Sequence, residues 1–206
     1  MALHELRKSG KYEVAALLTT ITRDYDRICM HGVRSILLEQ QAESLGVPPE
    51  KIFISKNASN EEYESSMRQI LEKYQAEGVC GVVFGDVFLE DLRKYREEKL
   101  SQVAMKGLFP IWKRDTAKLA CEFINLGYEA IVTCANSNLL DSTLVGRPFD
   151  EQFLSMLPEA VDPCGENGEF HTFTYDGPIF AAPIAFETGD TILRDNRFYY
   201  CDLIAE

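Results

Sequence analysis

The chain has 206 residues, of which 46% are hydrophobic and 26% are charged, and its formal net charge is −12. This length supports one domain, or one domain with a modest extension, that buries a sizeable core. The acidic balance excludes duplex DNA or an anionic membrane as the main partner, because their phosphates would be repelled. No apolar run approaches the roughly 20 residues of a membrane span.

The six cysteines include no C-x-x-C pair, and the three histidines have no metal-ligand spacing. Several cysteines lie in apolar segments such as VCGVVF. Free thiols in a reducing cytoplasm explain this pattern better than disulfides or a zinc site. We therefore expect a cytoplasmic protein that binds neither nucleic acid nor a membrane.

Helix and strand patterns alternate over the first two thirds of the chain. An amphipathic helix ends at Ser9-Gly10, and an apolar strand follows over residues 13–20. Helical periodicity also precedes Gly46, Gly78 and Gly127. The apolar strands KIFIS, VCGVVF and EAIVTC follow these three helical segments in that order. This alternation predicts βαβ units and an α/β fold with a parallel sheet flanked by helices.

The pattern changes after about residue 137, where short strands are separated by Gly, Asp and Asn turns. We predict a nucleotide-binding α/β domain over residues 1–135 and a smaller β-rich substrate or acceptor lobe over residues 136–206, with a shared core. Ligands of parallel sheets bind at the carboxyl ends of the strands. The residues predicted to lie there are Thr19, Thr20, Ser55, Gly85, Asp86, Ala135 and Asn136.

The segment VDPCGENGEFHTF is the richest candidate site. Asp162, Glu166 and Glu169 lie within eight positions, and Gly165 and Gly168 favour a tight loop. Two carboxylates on such a loop can hold Mg²⁺, orient an amine or take a proton. A solvated acidic turn is the alternative interpretation.

Other candidates are weaker. Asp86 follows a buried strand, where it can meet a metal-bound phosphate or simply cap the next helix. His31 precedes a helix whose first turn carries Arg34, which suits an anion, although packing explains a lone histidine equally. Arg147, between Gly and Pro in a loop, is either an anion contact or part of a structural salt bridge. Spacing alone therefore predicts an α/β protein with a cleft for an anionic ligand.

Longer motifs carry more information: MHGVRSILLEQQAESLG, GVVFGDVFLEDLRKYREEKL and above all VDPCGENGEFHTFTYDGPIF. They resemble the diphthine–ammonia ligase family of PP-loop ATP pyrophosphatases, in its bacterial branch, from residue 1 to near the C-terminus. The resemblance implies an adenine nucleotide alpha-hydrolase-like α/β domain with a smaller lobe. It also implies a reaction in which ATP adenylates a carboxylate and ammonia then displaces AMP to form an amide.

The resemblance also implies ligands and site residues. Archaeal and eukaryotic members act on the diphthine of elongation factor 2; bacteria make no diphthamide, so a bacterial member has another acceptor or none. ATP, Mg²⁺ and ammonia are the implied ligands. The implied catalytic residues are Glu166, Glu169 and Thr172. The implied ATP-binding residues are Thr19, His31, Gly85 and Asp86, with Asp86 near Mg²⁺. The implied substrate-binding residues are Asn136, Arg147, Gly165 and Gly168.

One family motif has no counterpart in these residues. Family members begin with a strand and the phosphate-binding loop SGGKDS, directly before a helix that resembles ALHEL, and SGGKDS occurs nowhere in the 206 residues. That strand lies in the middle of the family's sheet, so we expect unpaired sheet edges here. A rearranged strand, or one from the second subunit of a homodimer, could fill the gap.

Three hypotheses remain open at this stage. The chain is an amide-forming ligase of this family, a non-catalytic descendant that binds a nucleotide or partner, or a protein whose acidic loop serves other chemistry without ATP. For these 206 residues we expect little or no ATP turnover.

Overall fold

The computed structural model describes all residues 1–206 and contains six α-helices, nine β-strands and one 3-10 turn. The helices are α1 (Ala2–Ser9), α2 (Ser35–Leu45), α3 (Asn60–Ala76), α4 (Glu90–Ser101), α5 (Thr116–Asn125) and α6 (Glu151–Met156). The strands are β1 (Leu17–Thr22), β2 (Arg27–Ile28), β3 (Pro49–Ile54), β4 (Gly81–Val83), β5 (Lys106–Leu108), β6 (Glu129–Asn136), β7 (Phe170–Asp176), β8 (Phe186–Arg194) and β9 (Phe198–Ala205). None of the helices combines the length and the apolar composition that a membrane span requires.

The helix boundaries follow local sequence signals. Helices α1 and α2 end at Gly10 (φ 62°) and Gly46 (φ 64°), in the left-handed conformation that glycine adopts at little cost. Helix α3 begins after Ser59, whose Oγ accepts a hydrogen bond of 3.1 Å from the N–H of Glu62. This cap satisfies one of the free N–H groups of the first turn.

The predicted parallel sheet is present in two separate pieces. Strand β1 pairs in parallel with β3 and, at its C-terminal end, antiparallel with the short β2. Strands β4 and β5 form a parallel pair of their own. No strand joins the two pieces, so the expected break in the parallel layer is observed.

The C-terminal part is an antiparallel sheet with the strand order β7-β6-β9-β8. Strand β6 belongs to this sheet, although its sequence suggested a strand of the parallel layer. Six consecutive buried residues, 130–135, explain the ambiguity, because a central strand covered on both faces is apolar throughout in either kind of sheet. The domain boundary at residues 135 and 136 remains a prediction, while the pairing places the start of the antiparallel sheet at Glu129.

The largest core cluster packs the antiparallel sheet against the helices. It includes Leu37 of α2, Ala120 of α5 and Phe153 of α6, all nearly inaccessible to solvent. A second cluster of four buried residues lies around α3 and α4: Leu71, Leu100, Val103 and Met105. The first cluster therefore contains residues from both predicted parts of the chain.

Two ion pairs also connect the two predicted parts of the chain. Asp202 of β9 accepts hydrogen bonds of 2.7 Å from Arg27 of β2 and from Arg34, directly before α2. The hydrogen bond from Arg34, the largest cause, holds the pKa of Asp202 well below its ordinary value despite some burial. Both arginines are thereby committed to a structural contact.

We expect Phe153→Ala to lower the free energy of unfolding by about 3–5 kcal/mol, because the removed ring leaves a cavity in the main core. Its side chain is 1% exposed, whereas that of Phe53 on β3 is 45% exposed. The control Phe53→Ala should change the same quantity by only about 0.5 kcal/mol. Urea unfolding followed by circular dichroism measures both, and equal losses in the two variants would contradict this description of the core.

Candidate functional site

The acidic loop, residues 162–169, is folded around the carboxylate of Glu169. This side chain is 3% exposed. Its Oε1 accepts hydrogen bonds from the N–H of Asp162 (3.0 Å) and the side-chain amide of Asn167 (2.9 Å), and Oε2 accepts one from the N–H of Asn167 (2.9 Å). Burial acts to raise the pKa of Glu169, but the hydrogen bonds outweigh it and the pKa lies below its ordinary value. Glu169 is therefore ionised and stabilises the loop. Its predicted catalytic role remains a prediction.

Glycine is required where the loop closes. Gly165 has φ 68°, and a Cβ atom there would lie 2.7 Å from the carbonyl oxygen of Phe170. Gly168 has φ 81° and donates its N–H to the Gly165 carbonyl oxygen at 3.0 Å. These two positions give the loop its shape, and their substrate-binding role remains a prediction.

Glu166 connects the acidic loop to the parallel layer. Its Oε1 accepts hydrogen bonds from the N–H groups of Val87 (2.6 Å) and Phe88 (3.3 Å), in the segment that follows β4. Burial raises the pKa of Glu166, and the charges of Asp86 and Asp162 raise it further against the effect of the two hydrogen bonds. A carboxylate with a raised pKa at the carboxyl end of a parallel strand is suited to proton transfer.

Asp86 lies beside Glu166 and is paired with Arg96 of α4. Nη2 of Arg96 lies 3.2 Å from Oδ1 of Asp86, and Nε lies 2.9 Å from Oδ2. The second contact is not aligned as a hydrogen bond, which leaves Nε and Oδ2 without a hydrogen-bond partner. The same guanidinium lies 4.3 Å from the ring centre of Phe84. Gly85, between Phe84 and Asp86, is exposed.

The residues present do not fit a Mg²⁺ ion held by the protein alone. No three His, Cys, Asp or Glu side chains are grouped so that they could hold a metal. The charge of Asp86, the predicted ligand, is offset by Arg96. Mg²⁺ at Asp86 therefore rests on the sequence resemblance only.

A second group of predicted residues lines one cavity of about 340 Å³. Thr19 of β1, His31 before α2 and Thr172 of β7 all contribute to its wall. The sequence assigned Thr19 and His31 to ATP and Thr172 to catalysis, and the structure brings the three to a common space. The prediction that Thr19 and Thr20 lie at the carboxyl end of the first strand is wrong, because β1 runs from Leu17 to Thr22 and both residues lie in its middle. Most of the remaining wall is apolar.

His171 is a neighbour of this cavity that the sequence did not single out as a site residue. Its ring centre lies 4.5 Å from that of His31. Burial lowers the pKa of both rings, and for His171 the charge of His31 adds to the effect and brings the pKa to about 4. The pair is neutral at neutral pH. The one sequence signal was the position of His171 next to Thr172 in the acidic-loop motif.

Of the last two predicted residues, Asn136 contacts the acidic loop and Arg147 does not. Asn136, at the end of β6, donates its N–H to the carbonyl oxygen of Glu169 at 2.8 Å and so contacts the acidic loop. Arg147 instead donates to the carbonyl oxygen of Thr143 at 2.8 Å and contacts the sulfur of Met156. It forms no ion pair, so the structural salt bridge is not observed, and its substrate-binding role remains a prediction.

The buried His171 predicts a pH-dependent stability. Its pKa falls from the ordinary 6.5 to about 4, so between these values the unfolded chain binds more protons than the folded one. The free energy of unfolding should therefore decrease as the pH falls from 6.5 towards 4, and His171→Gln should make that decrease shallower. Urea unfolding at a series of pH values measures the slope. Thr172→Ser keeps both rings and should retain it; an unchanged slope in His171→Gln would contradict the prediction.

Comparison with known proteins gives matches to one family over both parts of the chain. The model of the diphthamide synthase N-terminal domain matches residues 1–107, and that of the diphthamide synthase C-terminal domain matches residues 115–201. A Danio rerio protein named diphthine–ammonia ligase is 29% identical over 171 residues, which are 75% of this chain and 67% of that protein. The Bos taurus protein of the same name is 29% identical over 133 residues (61% of this chain, 48% of the relative), and the Homo sapiens protein is 27% identical over 135 residues (62% and 49%).

The matched region spans about half the length of the two mammalian relatives. The N-terminal family model alone covers more than half of this chain, and the C-terminal model covers most of the remainder. The family suggested by the acidic-loop motif is thus confirmed over both parts of the molecule: the chain belongs to the diphthamide synthase family, which includes the diphthine–ammonia ligases.

Proposed function

We propose that this chain carries the nucleotide and acceptor sites of an ATP-dependent amide-forming ligase. In the proposed reaction, ATP adenylates the carboxylate of an acceptor and releases pyrophosphate. Ammonia then attacks the acyl carbon, and AMP leaves. Membership of the diphthamide synthase family and similarity to proteins named diphthine–ammonia ligase support a reaction that forms a C–N bond.

The observation that carries this proposal is the bridge from Glu166 to the N–H groups of Val87 and Phe88. Parallel sheets bind ligands at the carboxyl ends of their strands, and the bridge holds the acidic loop at that end of β4. A carboxylate acceptor and ammonia bound by the loop would then lie beside a nucleotide bound at the sheet. Holding the reactants together in this way supplies much of the rate enhancement of such reactions.

The amine that attacks the acyl-adenylate must be neutral, so a proton has to be removed from ammonium or from the addition product. Glu166 has the raised pKa that suits this transfer. Glu169 acts as a positioning residue, since its hydrogen bonds to Asp162 and Asn167 fix the loop that presents Glu166. The cavity lined by Thr19, His31 and Thr172 is the proposed adenosine site.

A second candidate is a non-catalytic protein that binds a nucleotide or a partner. It is favoured by the lack of SGGKDS among these residues and by the pairing of Asp86 with Arg96, which offsets the charge of the predicted Mg²⁺ ligand. Under this hypothesis the acidic loop and the adenosine cavity bind a ligand, but ATP is not cleaved.

Release of AMP and pyrophosphate, with and without ammonium, separates the two candidates. The 206-residue chain should release AMP at the background rate. A version joined ahead of Met1 to a strand and an SGGKDS loop should release it in an ammonium-dependent way with at least one carboxylate acceptor. Diphthine-bearing elongation factor 2 and a set of small carboxylic acids serve as the test acceptors. Binding of AMP to the extended version without any release would favour the second candidate.

In that extended version, Glu166→Gln should lower ammonium-dependent AMP release by about 10²–10⁴-fold, because the proton acceptor is lost. Glu151→Gln, a change of the same kind on α6 at an exposed position, is the matched control and should leave the rate unchanged. An unaltered rate and ammonium dependence in Glu166→Gln would contradict the role proposed for this carboxylate.

A positioning role for Glu169 predicts a loss of stability when its carboxylate is replaced. Glu169→Gln turns an acceptor into an amide that faces the donors of Asp162 and Asn167, so the free energy of unfolding should fall by about 1–3 kcal/mol. Urea unfolding measures this loss, and Glu166→Gln serves for comparison because Glu166 is less buried. Full stability of Glu169→Gln together with loss of turnover would instead indicate direct participation in the reaction.

A further inference from the structure

Three aromatic rings and a guanidinium group meet at the carboxyl ends of β4 and β5. Phe84 follows β4 directly and Phe109 follows β5 directly, and their rings stack with centres 5.3 Å apart. The ring of Trp112 lies edge-on to that of Phe109 at 5.8 Å. These three rings and the guanidinium of Arg93 on α4 are called the aromatic shelf below. The shelf lies at the end of the parallel pair where such sheets bind their ligands.

The guanidinium of Arg93 is held in place but keeps free donors. Its Cζ lies 4.6 Å from the ring centre of Phe109 and 4.7 Å from that of Trp112. Its Nε donates to Oε1 of Glu97 at 2.9 Å. These contacts fix the plane of the group and use one of its five N–H donors. The two terminal nitrogens donate to no protein atom, and the side chain is 33% exposed.

Gly107 of β5 leaves the space that the shelf requires. A Cβ atom at this position would lie 2.8 Å from Cε2 of Phe109 and 3.6 Å from Cγ of Glu97. Any larger residue would displace the Phe109 ring on which Arg93 stacks. The absence of a side chain at Gly107 is therefore part of how the shelf is built.

Two hydrogen bonds connect the shelf with Glu166. The N–H of Lys113, next to Trp112, donates to the carbonyl oxygen of Val87 at 2.7 Å. The N–H of Val87 donates in turn to Glu166 at 2.6 Å. Val87 and Ile111 also share a small buried core cluster. The turn that carries Trp112 is thus anchored to the residue that holds the acidic loop.

The free donors and the rings together define the ligand chemistry. A planar guanidinium binds a carboxylate through two parallel N–H bonds. The exposed pair with Glu97 contributes little, so it does not prevent a second carboxylate from binding. The rings of Phe109 and Trp112 are partly exposed and offer an apolar surface beside the guanidinium. A ligand that uses both features carries a carboxylate on a flat apolar group.

We propose that the aromatic shelf binds the acceptor as a carboxylate attached to a planar apolar group. Arg93 pairs with the carboxylate, and Trp112 packs against the apolar part. The identification of this ligand as the acceptor rests on the proposed function, whereas its binding requires no ATP. Bound in this way, the acceptor is held on the turn that is anchored to Val87 and so beside the acidic loop, which shortens the search for the reactive arrangement.

Trp112 is the only tryptophan of the chain, so its fluorescence reports binding to the shelf. The probe is 3-phenylpropionate, added to the 206-residue chain without ATP, and it should change the emission saturably. Two control compounds separate the features of the probe. 3-Phenylpropanamide has the same ring without the charge, and inorganic phosphate has charge without a ring. Each should bind at least about tenfold more weakly than 3-phenylpropionate.

Variants on α4 test the role of the guanidinium. Arg93→Gln should weaken binding of 3-phenylpropionate at least about tenfold, because the charge-assisted hydrogen bonds are lost. Arg93→Lys should restore only part of the affinity, since an ammonium group lacks the planar fork. Lys94→Gln removes the same charge from the next, exposed residue and should leave the affinity unchanged. Calorimetric titration repeats each measurement, because loss of the guanidinium alters the emission of Trp112 itself.

Three results would overturn the proposal. The first is the absence of saturable binding at millimolar 3-phenylpropionate. The second is equal binding of 3-phenylpropanamide, which would show apolar adsorption only. The third is an equal effect of Arg93→Gln and Lys94→Gln, which would show a general charge effect.

Failure of the proposed function has a different outcome. Binding to the shelf without AMP release by the extended version would refute the ligase reaction and leave the shelf as a carboxylate site. AMP release by the extended version that is unaffected by Arg93→Gln would support the ligase reaction and show that its acceptor binds elsewhere.

Discussion

The candidate site depends on the hydrogen bonds that the Glu166 carboxylate accepts from the N–H groups of Val87 and Phe88. They hold the acidic loop of the antiparallel part against the carboxyl end of β4, where a parallel sheet binds its ligands. Burial and the neighbouring Asp86 and Asp162 raise the pKa of Glu166, so the contact that fixes the loop also gives its carboxyl group the property that proton transfer requires. Structure and proposed chemistry therefore rest on the same side chain.

The parallel layer imposes the second constraint. Its two pieces are not paired with each other, and a cavity of about 1110 Å³ borders both. The carboxyl end of β4 carries Asp86, whose charge is offset by Arg96.

Much of this arrangement could be predicted from local sequence. Ser59, Gly10 and Gly46 mark helix ends through backbone chemistry that acts within a few residues, and the motif around Glu166 and Glu169 identified both the family and the loop. The sheet to which β6 belongs could not be predicted, because a fully buried strand has the same apolar pattern in a parallel and in an antiparallel sheet. The contacts of His31 with His171 and of Asp86 with Arg96 depend on how distant elements pack. The inward direction of Glu169 depends on N–H groups that converge only when the loop closes.

The central claim is that the acidic loop at the carboxyl end of β4 and the cavity lined by Thr19, His31 and Thr172 serve one bound nucleotide. Backbone NMR of the labelled chain during titration with AMP tests it most directly. The account predicts saturable shifts of the Thr19, His31 and Thr172 amides, accompanied by shifts at Val87 and Phe88, with no response from the exposed face of β8. Saturable binding whose shifts lie elsewhere, or no shift at any of these amides at millimolar AMP, would contradict it.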